Sequence, residues 1–217
     1  MNLPELAWQF AYGRVSWAIV LAALVIGLWP RTRALPRSWL AGLLAGMIVL
    51  MCLPGAASPA HWIALGVQYP SGLLSGLCLA KLLTAWQGSA RQRMMTPGLA
   101  ALLAMAGTAL YLDAMGLLTA GFYYWGFSPV AAPLAALVLA VMAAAAAARG
   151  RWPAHALALA LAMLLYGGLR LPTGNLWDAL LDPLLWIWAL LALARHWWLI
   201  LRSPAVRPVV PRKRFNN

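Results

Sequence analysis

The chain has 217 residues, of which 64% are hydrophobic and 9% are charged, with a formal net charge of +12 and a mean hydropathy of +0.79. Soluble domains carry about 25% charged residues, so this composition excludes a water-soluble globule. The apolar residues run in blocks of roughly 15 to 25, which suits helices that cross a bilayer core of about 30 Å, whereas barrel strands would show about ten alternating positions. The sequence therefore predicts an all-α, polytopic bundle of transmembrane helices.

Seven apolar blocks follow one another along the chain. They cover approximately residues 15–29, 38–53, 61–86, 97–115, 129–148, 153–169 and 183–201. Three of the starts carry an oxygen-bearing side chain directly before a proline, at Thr96, Ser128 and Asp182. Such a side chain can cap the first turn, and proline at the first helical position forfeits no hydrogen bond. We expect a single transmembrane domain over residues 1–201, with about seven spans and no separate soluble domain.

Orientation follows from the basic residues, because loops rich in Lys and Arg are retained in the cytoplasm. With seven spans, all but two of the 16 basic residues fall at one end of the bundle, the exceptions being Arg14 and Arg170. The acidic residues all fall at the opposite end, and these are Glu5, Asp113, Asp178 and Asp182. This asymmetry predicts an N-terminus outside and a C-terminus in the cytoplasm.

The last segment, residues 202–217, is basic and interrupted by prolines. It is interpreted as a disordered cytoplasmic tail attracted to anionic lipid, where each charge near the surface contributes about 1 kcal/mol. Nucleic acid is not expected as a partner. Short loops, the arginine bias and the lack of an organellar targeting segment favour a bacterial inner (cytoplasmic) membrane, which the chain would cross several times.

Two pairs of glycines, each four residues apart, would let helix backbones approach closely. Gly42 and Gly46 lie in the second block, and Gly72 and Gly76 lie in the third. The main interpretation is packing between these two neighbouring spans, and the alternative is dimerisation. The run of alanines at residues 143–148 offers another smooth surface, for a partner helix or for another span of the same chain.

Polar residues are costly inside a membrane and are therefore informative. The most distinctive group occupies the outer turn before the last span and comprises Arg170, Thr173, Asn175, Asp178 and Asp182. Thr173 or Asn175 can cap a short helix that ends before Asp182, because a residue preceding proline avoids the α region. If that helix instead continues into the last span, Asp178 and Asp182 share one face.

Two interpretations of these polar residues remain open. In the first, the acids are helix caps and Arg170 forms an ion pair that holds the turn. In the second, they form a pocket, with Asp178, Asp182 and Asp113 as catalytic candidates and Arg170, Gln68, His61 and Asn175 as substrate-binding candidates. The aromatic connection at residues 115–127 is expected to lie in the interface or to dip back into the bundle.

Other chemistries find little support in the sequence. No cluster of His or Cys has the spacing of zinc ligands, and no serine hydrolase, P-loop or dinucleotide motif is present. A haem held by His155 and His196 is disfavoured because both lie at interfacial positions beside arginines. No cofactor or metal is therefore expected.

Two functions are consistent with these features. The first is a non-catalytic subunit or assembly factor of a membrane complex, with another membrane protein or a second copy of the chain as partner. The alternative is a small membrane enzyme or carrier that handles a lipid-linked or amphiphilic substrate at the periplasmic boundary. Whether the protein is an enzyme stays open at this point.

Overall fold

A computed structural model describes residues 3–29, 36–88, 93–150 and 153–202. The described chain is helical and contains no strand, which confirms the all-α prediction. A 3₁₀ turn lies at Gly55–Ala57. The helices are α1 (Leu6–Leu28), α2 (Arg37–Met51), α3 (Pro59–Val67), α4 (Gly72–Trp86), α5 (Pro97–Ala114), α6 (Phe122–Trp125), α7 (Ala131–Ala148), α8 (Pro153–Leu169), α9 (Leu176–Leu180) and α10 (Pro183–Arg202).

Four of these helices are long and apolar enough to cross a membrane, namely α1, α5, α7 and α10. Three further apolar helices, α2, α4 and α8, have between 10 and 17 residues. The chain is thus an all-helical protein with four candidate membrane-spanning helices, as expected for a membrane protein. The basic segment beyond Arg202 lies outside the described residues.

The apolar block at residues 61–86 is not one helix, which differs from the expected single span. Helix α3 ends at Val67 and α4 begins at Gly72. Gln68 adopts φ 60° and ψ −128°, and Pro70 has no N–H to continue a helix. Side chains of α1 bind the carbonyls at this break: the Trp17 indole N–H donates to the Gln68 carbonyl at 3.2 Å, and the Tyr12 hydroxyl donates to the Pro70 carbonyl at 2.7 Å.

Helices α4 and α8 pack with their backbones nearly in contact. A Cβ atom added at Gly76 would lie 2.6 Å from the Ala158 Cα, and one added at Gly72 would lie 2.9 Å from the Ala162 Cα. Small residues on both helices therefore permit the approach. The Gly72 and Gly76 pair packs within the chain as expected, but against α8 rather than against α2. Added Cβ atoms at Gly42 and Gly46 would meet nothing within 4 Å.

Long-range hydrogen bonds define the two ends of the bundle. At one end, the Gln9 side chain donates to the Pro172 carbonyl at 3.0 Å, which joins the start of α1 to the turn after α8. At the other end, Arg37 Nε donates to the Trp86 carbonyl at 3.1 Å, which joins the start of α2 to the end of α4. His155 Nε2 lies 2.8 Å from the Met94 carbonyl, which joins the starts of α8 and α5.

Helix α10 packs against α5 through Trp186. Its indole ring fills the space beside Gly107, where an added Cβ would lie 2.4 Å from the ring. The ring meets Tyr111 edge-on at a centroid distance of 5.2 Å, and its N–H lies 3.3 Å from the Ala104 carbonyl. This contact sets α5, which carries Asp113, beside α10, which begins directly after Asp182.

The α4–α8 contact predicts that replacing a glycine of α4 destabilises the protein much more than replacing a glycine of α2. We expect Gly76→Ala to lower the free energy of unfolding by about 1 to 3 kcal/mol, because the added methyl group would overlap the α8 backbone. Gly42→Ala is the matched control and should change stability by no more than about 0.5 kcal/mol, since its Cβ position is open. Thermal unfolding in detergent measures both, and equal effects would contradict this packing.

Candidate functional site

Asp113, at the end of α5, organises the connection that follows it. The side chain is only 7% exposed. One carboxylate oxygen accepts the backbone N–H groups of Ala120 at 3.1 Å and Gly121 at 2.8 Å, and the other accepts that of Tyr123 at 2.8 Å. Because these donors lie at the start of α6, Asp113 folds the aromatic connection back over the end of α5. Both of its oxygens are used by the backbone.

The folded-back connection is bound in turn to the segment before α10. The Leu176 N–H donates to the Gly126 carbonyl at 3.0 Å, and the Trp177 indole N–H donates to the Phe122 carbonyl at 2.7 Å. A Cβ added at Gly126 would lie 1.7 Å from Asn175 Oδ1, so only glycine fits this contact. The expectation that the connection dips back into the bundle agrees with this packing.

Asn175 is completely buried, and both polar atoms of its side-chain amide form hydrogen bonds with backbone groups. Its Oδ1 accepts the Trp177 N–H at 2.9 Å, and its Nδ2 donates to the Tyr123 carbonyl at 3.2 Å. Asn175 is therefore the N-cap of α9, which ends at Leu180. The predicted short helix before Asp182 is confirmed, and Asp178 and Asp182 do not share one helix.

Asp178 is half-buried and receives its hydrogen bonds from side-chain hydroxyls. The Thr173 hydroxyl donates to Oδ2, and the Tyr123 hydroxyl lies 3.3 Å from both carboxylate oxygens. Burial raises the pKa of the Asp178 carboxyl, and these two hydrogen bonds oppose the rise. Burial and the nearby Asp178 charge raise the pKa of Tyr123 to about 12, so its hydroxyl keeps its proton at neutral pH.

We call Asp113, Tyr123, Thr173, Asn175 and Asp178 the polar cap. Tyr123 connects its members: its N–H binds Asp113, its carbonyl binds Asn175 and its hydroxyl binds Asp178. The sequence placed Tyr123 in an aromatic connection but did not identify it as a site residue. Two of these three contacts, with Asn175 and Asp178, span more than 50 residues, and no local pattern encodes them.

Asp182 lies outside the polar cap and joins two helices. It is 5% exposed. Its Oδ1 accepts the Leu185 N–H at 2.8 Å, which caps α10, and its Oδ2 accepts the Ser71 N–H at 2.7 Å. The Ser71 hydroxyl in turn accepts the Leu74 N–H at 3.0 Å and caps α4. The predicted cap of α10 is confirmed, and the bond to Ser71 adds a connection between distant segments.

Three predicted binding residues stand apart from these acids. Arg170 Nη1 donates to the Tyr166 hydroxyl at 3.0 Å, and no carboxylate of the described residues lies within 4.0 Å of the guanidinium. The hypothesised ion pair of Arg170 is therefore wrong. His61 is exposed on α3 beside Trp62, and Gln68 is exposed at the break between α3 and α4. Neither joins the polar cap.

Within the described ranges, no three side chains of His, Cys, Asp or Glu are grouped so that they could hold a metal ion. Cys52 and Cys78 are both free thiols, the first exposed and the second buried. No protein family, curated protein or solved structure matches this chain. The chemistry of the site is therefore inferred only from the positions and hydrogen bonds of its own residues.

Asp182 caps α10 and also accepts the Ser71 N–H, so the loss of stability should depend on how many of these bonds a substitution removes. We expect Asp182→Ala to lower the free energy of unfolding by about 2 to 4 kcal/mol, because it removes a helix cap and leaves the buried Ser71 N–H without an acceptor. Asp182→Asn should cost roughly half as much, since asparagine caps well but has a single acceptor oxygen.

Thr96→Ala provides the matched control, because Thr96 caps α5 with one exposed bond of 3.4 Å. Its cost should be about 1 kcal/mol or less. Thermal unfolding of the three variants in the same detergent measures the series. A cost for Asp182→Ala no greater than that for Thr96→Ala would show that the bond to Ser71 contributes nothing.

Proposed function

We propose that this protein is a non-catalytic integral subunit, or an assembly or scaffold factor, of a complex in a bacterial inner membrane. The observation that carries the proposal is the use of its buried acids. Asp113 and Asp182 give both carboxylate oxygens to backbone N–H groups of the same chain. Each carboxylate oxygen therefore already holds part of the backbone in place, and a reaction that displaced it would cost the fold these hydrogen bonds. These two residues support a structural role.

The surface of the bundle also supports a partner. On α2, the Cβ positions of Gly42 and Gly46 are open, so the backbone of another helix can approach closely there. Without a hydrophobic driving force in lipid, helices associate where small residues allow close packing. We propose another membrane protein or a second copy of the chain as the partner, and anionic lipid as the partner of the basic tail.

We further propose seven membrane crossings, with the N-terminus outside and the C-terminus inside. In this arrangement the break between α3 and α4 lies at membrane depth. Irregular backbone is tolerated there when protein groups satisfy it, and Trp17 and Tyr12 bind the freed carbonyls. The short helix α4 packs between α1 and α8, so protein rather than lipid surrounds much of it.

Cysteine labelling tests this topology. In a Cys52→Ser background, Glu5→Cys and Thr119→Cys should react with a membrane-impermeant maleimide in intact cells. Gln87→Cys and Arg149→Cys should react only after lysis. All four positions are exposed, so accessibility within the fold does not limit the reaction. The reverse pattern would contradict the orientation, and labelling of Thr119→Cys and Gln87→Cys from the same side would contradict the number of crossings.

A second candidate function is a small membrane enzyme or carrier for a lipid-linked or amphiphilic substrate at the periplasmic boundary. Asp178 is the observation that favours it. Its hydrogen bonds come from two hydroxyls rather than from the backbone, it is half-buried, and burial raises its pKa. Because its partners are side-chain hydroxyls, this carboxyl can change partners without releasing a backbone group at a helix end.

One experiment separates the two functions. The full-length protein, extracted from native membranes in mild detergent, should migrate in blue-native electrophoresis as part of a larger assembly. Asp178→Asn should retain this assembly and complement a deletion strain, because the amide still accepts from Thr173. Its unfolding midpoint in detergent serves as the control for folding.

Migration of the extracted protein only as a lone monomer would contradict the scaffold function. Loss of complementation by Asp178→Asn, with assembly and unfolding midpoint unchanged, would favour the enzyme or carrier instead.

A further inference from the structure

A groove runs along the surface between α7 and α8 and ends at Arg170. Its volume is about 220 Å³. Apart from Arg170, its walls are mostly apolar, and they include Ala136, Leu137, Ala140, Met163 and Gly167. Small residues on both helices create the space, since alanine and glycine occupy positions where larger side chains would close it. The lining of the groove is therefore mostly apolar and includes one cationic side chain, that of Arg170, at one end.

The fold itself makes little use of the Arg170 guanidinium. Nη1 donates to the Tyr166 hydroxyl, and the guanidinium carbon lies 5.1 Å from the centroid of the same ring. A guanidinium has five N–H donors in a planar fork suited to phosphate. With no carboxylate of the described residues within 4.0 Å, this half-buried charge is left without a protein counter-ion. An anionic ligand would neutralise it.

The backbone conformation at Arg170 shows what the fold alone would favour there. Arg170 has φ 56°, in the left-handed region that glycine adopts most easily and that commonly follows the end of a helix. Its N–H donates to the Tyr166 carbonyl at 2.9 Å and its carbonyl accepts the Gly174 N–H at 2.7 Å, which hold this conformation. A residue with a long cationic side chain thus occupies a position where glycine would be less strained.

We propose that this groove binds an anionic phospholipid. The phosphate would bind the Arg170 guanidinium, and one acyl chain would lie along the apolar walls formed by α7 and α8. A net negative headgroup matches the uncompensated charge better than a zwitterionic headgroup, whose ammonium would be repelled. The proposal goes beyond the scaffold function and does not depend on it, because it requires neither a protein partner nor a reaction.

Two adjacent glycines offer a matched pair of variants. Added Cβ atoms at Gly167 and at Gly168 would both meet nothing within 4 Å, so both positions accept a larger residue. Only Gly167 lines the groove. Gly167→Leu should therefore fill the groove, whereas Gly168→Leu should leave it open, and both changes alter the helix propensity of α8 equally.

Native mass spectrometry of the full-length protein in detergent, titrated with phosphatidylglycerol or phosphatidylcholine, tests the proposal. The unmodified protein should retain phosphatidylglycerol in preference to phosphatidylcholine. Arg170→Gln and Gly167→Leu should each lower the apparent affinity for phosphatidylglycerol about tenfold, and Gly168→Leu should not. A phosphatidylglycerol with a photoreactive group on the acyl chain should cross-link to peptides of α7 or α8.

Arg170→Gly separates a ligand role from a structural one. Glycine relieves the backbone strain, so the unfolding midpoint should be unchanged or higher while the preference for phosphatidylglycerol is lost. Equal retention of the two lipids by the unmodified protein would overturn the proposal. Cross-links confined to residues 203–217, or an equal effect of the two leucine variants, would also overturn it. So would a lower midpoint for Arg170→Gly with unchanged lipid retention.

Discussion

The Asp182 carboxylate joins the first turns of two helices that are distant in sequence, and the arrangement of the bundle centre depends on it. It accepts the Leu185 N–H and the Ser71 N–H at the same time, and Ser71 caps α4 with its hydroxyl. Helix ends leave backbone groups without intrahelical partners, and near a membrane such groups must be satisfied by the protein. The buried Asp182 carboxylate accepts backbone N–H groups at the starts of both α4 and α10. It also fixes where α4 starts relative to α10.

Two other side chains, those of Asp113 and Asn175, follow the same principle. Asp113 satisfies the backbone at the start of α6, and Asn175 satisfies that of α9. Two of the four acids, Asp113 and Asp182, thus bind backbone N–H groups at helix starts, where the N–H groups and the positive dipole stabilise a carboxylate. Asp178 differs, since its partners are the hydroxyls of Thr173 and Tyr123. It is the acid of the polar cap whose protonation can change at the smallest cost to the backbone.

Helix starts could be predicted from the sequence because they depend on neighbouring residues. Contacts between distant segments could not be predicted in this way. Capping side chains before proline marked the starts of α5 and α10, and Asn175 with Pro183 marked the short helix α9. The break after Val67 was less evident, because hydropathy is continuous across it and only Pro70 indicated a local disturbance. The ion pair expected for Arg170 was wrong because proximity in sequence does not fix the direction of a side chain. Arg170 turns back toward Tyr166 on the preceding helix, while Asp178 binds two hydroxyls and Asp182 binds backbone N–H groups. The bond between Ser71 and Asp182 spans 111 residues and has no local signature.

The polar cap and the Arg170 groove illustrate two different relations between charge and fold. In the polar cap, each carboxylate is stabilised by hydrogen-bond donors of the same chain, so removing it would leave those donors unsatisfied and weaken the structure. At Arg170, the protein supplies one hydroxyl and one aromatic ring, while the backbone conformation disfavours any residue other than glycine. Backbone strain alone would favour glycine at that position. The proposed anionic ligand would supply the counter-ion that the described part of the chain does not, and would give this side chain a use outside the folded chain.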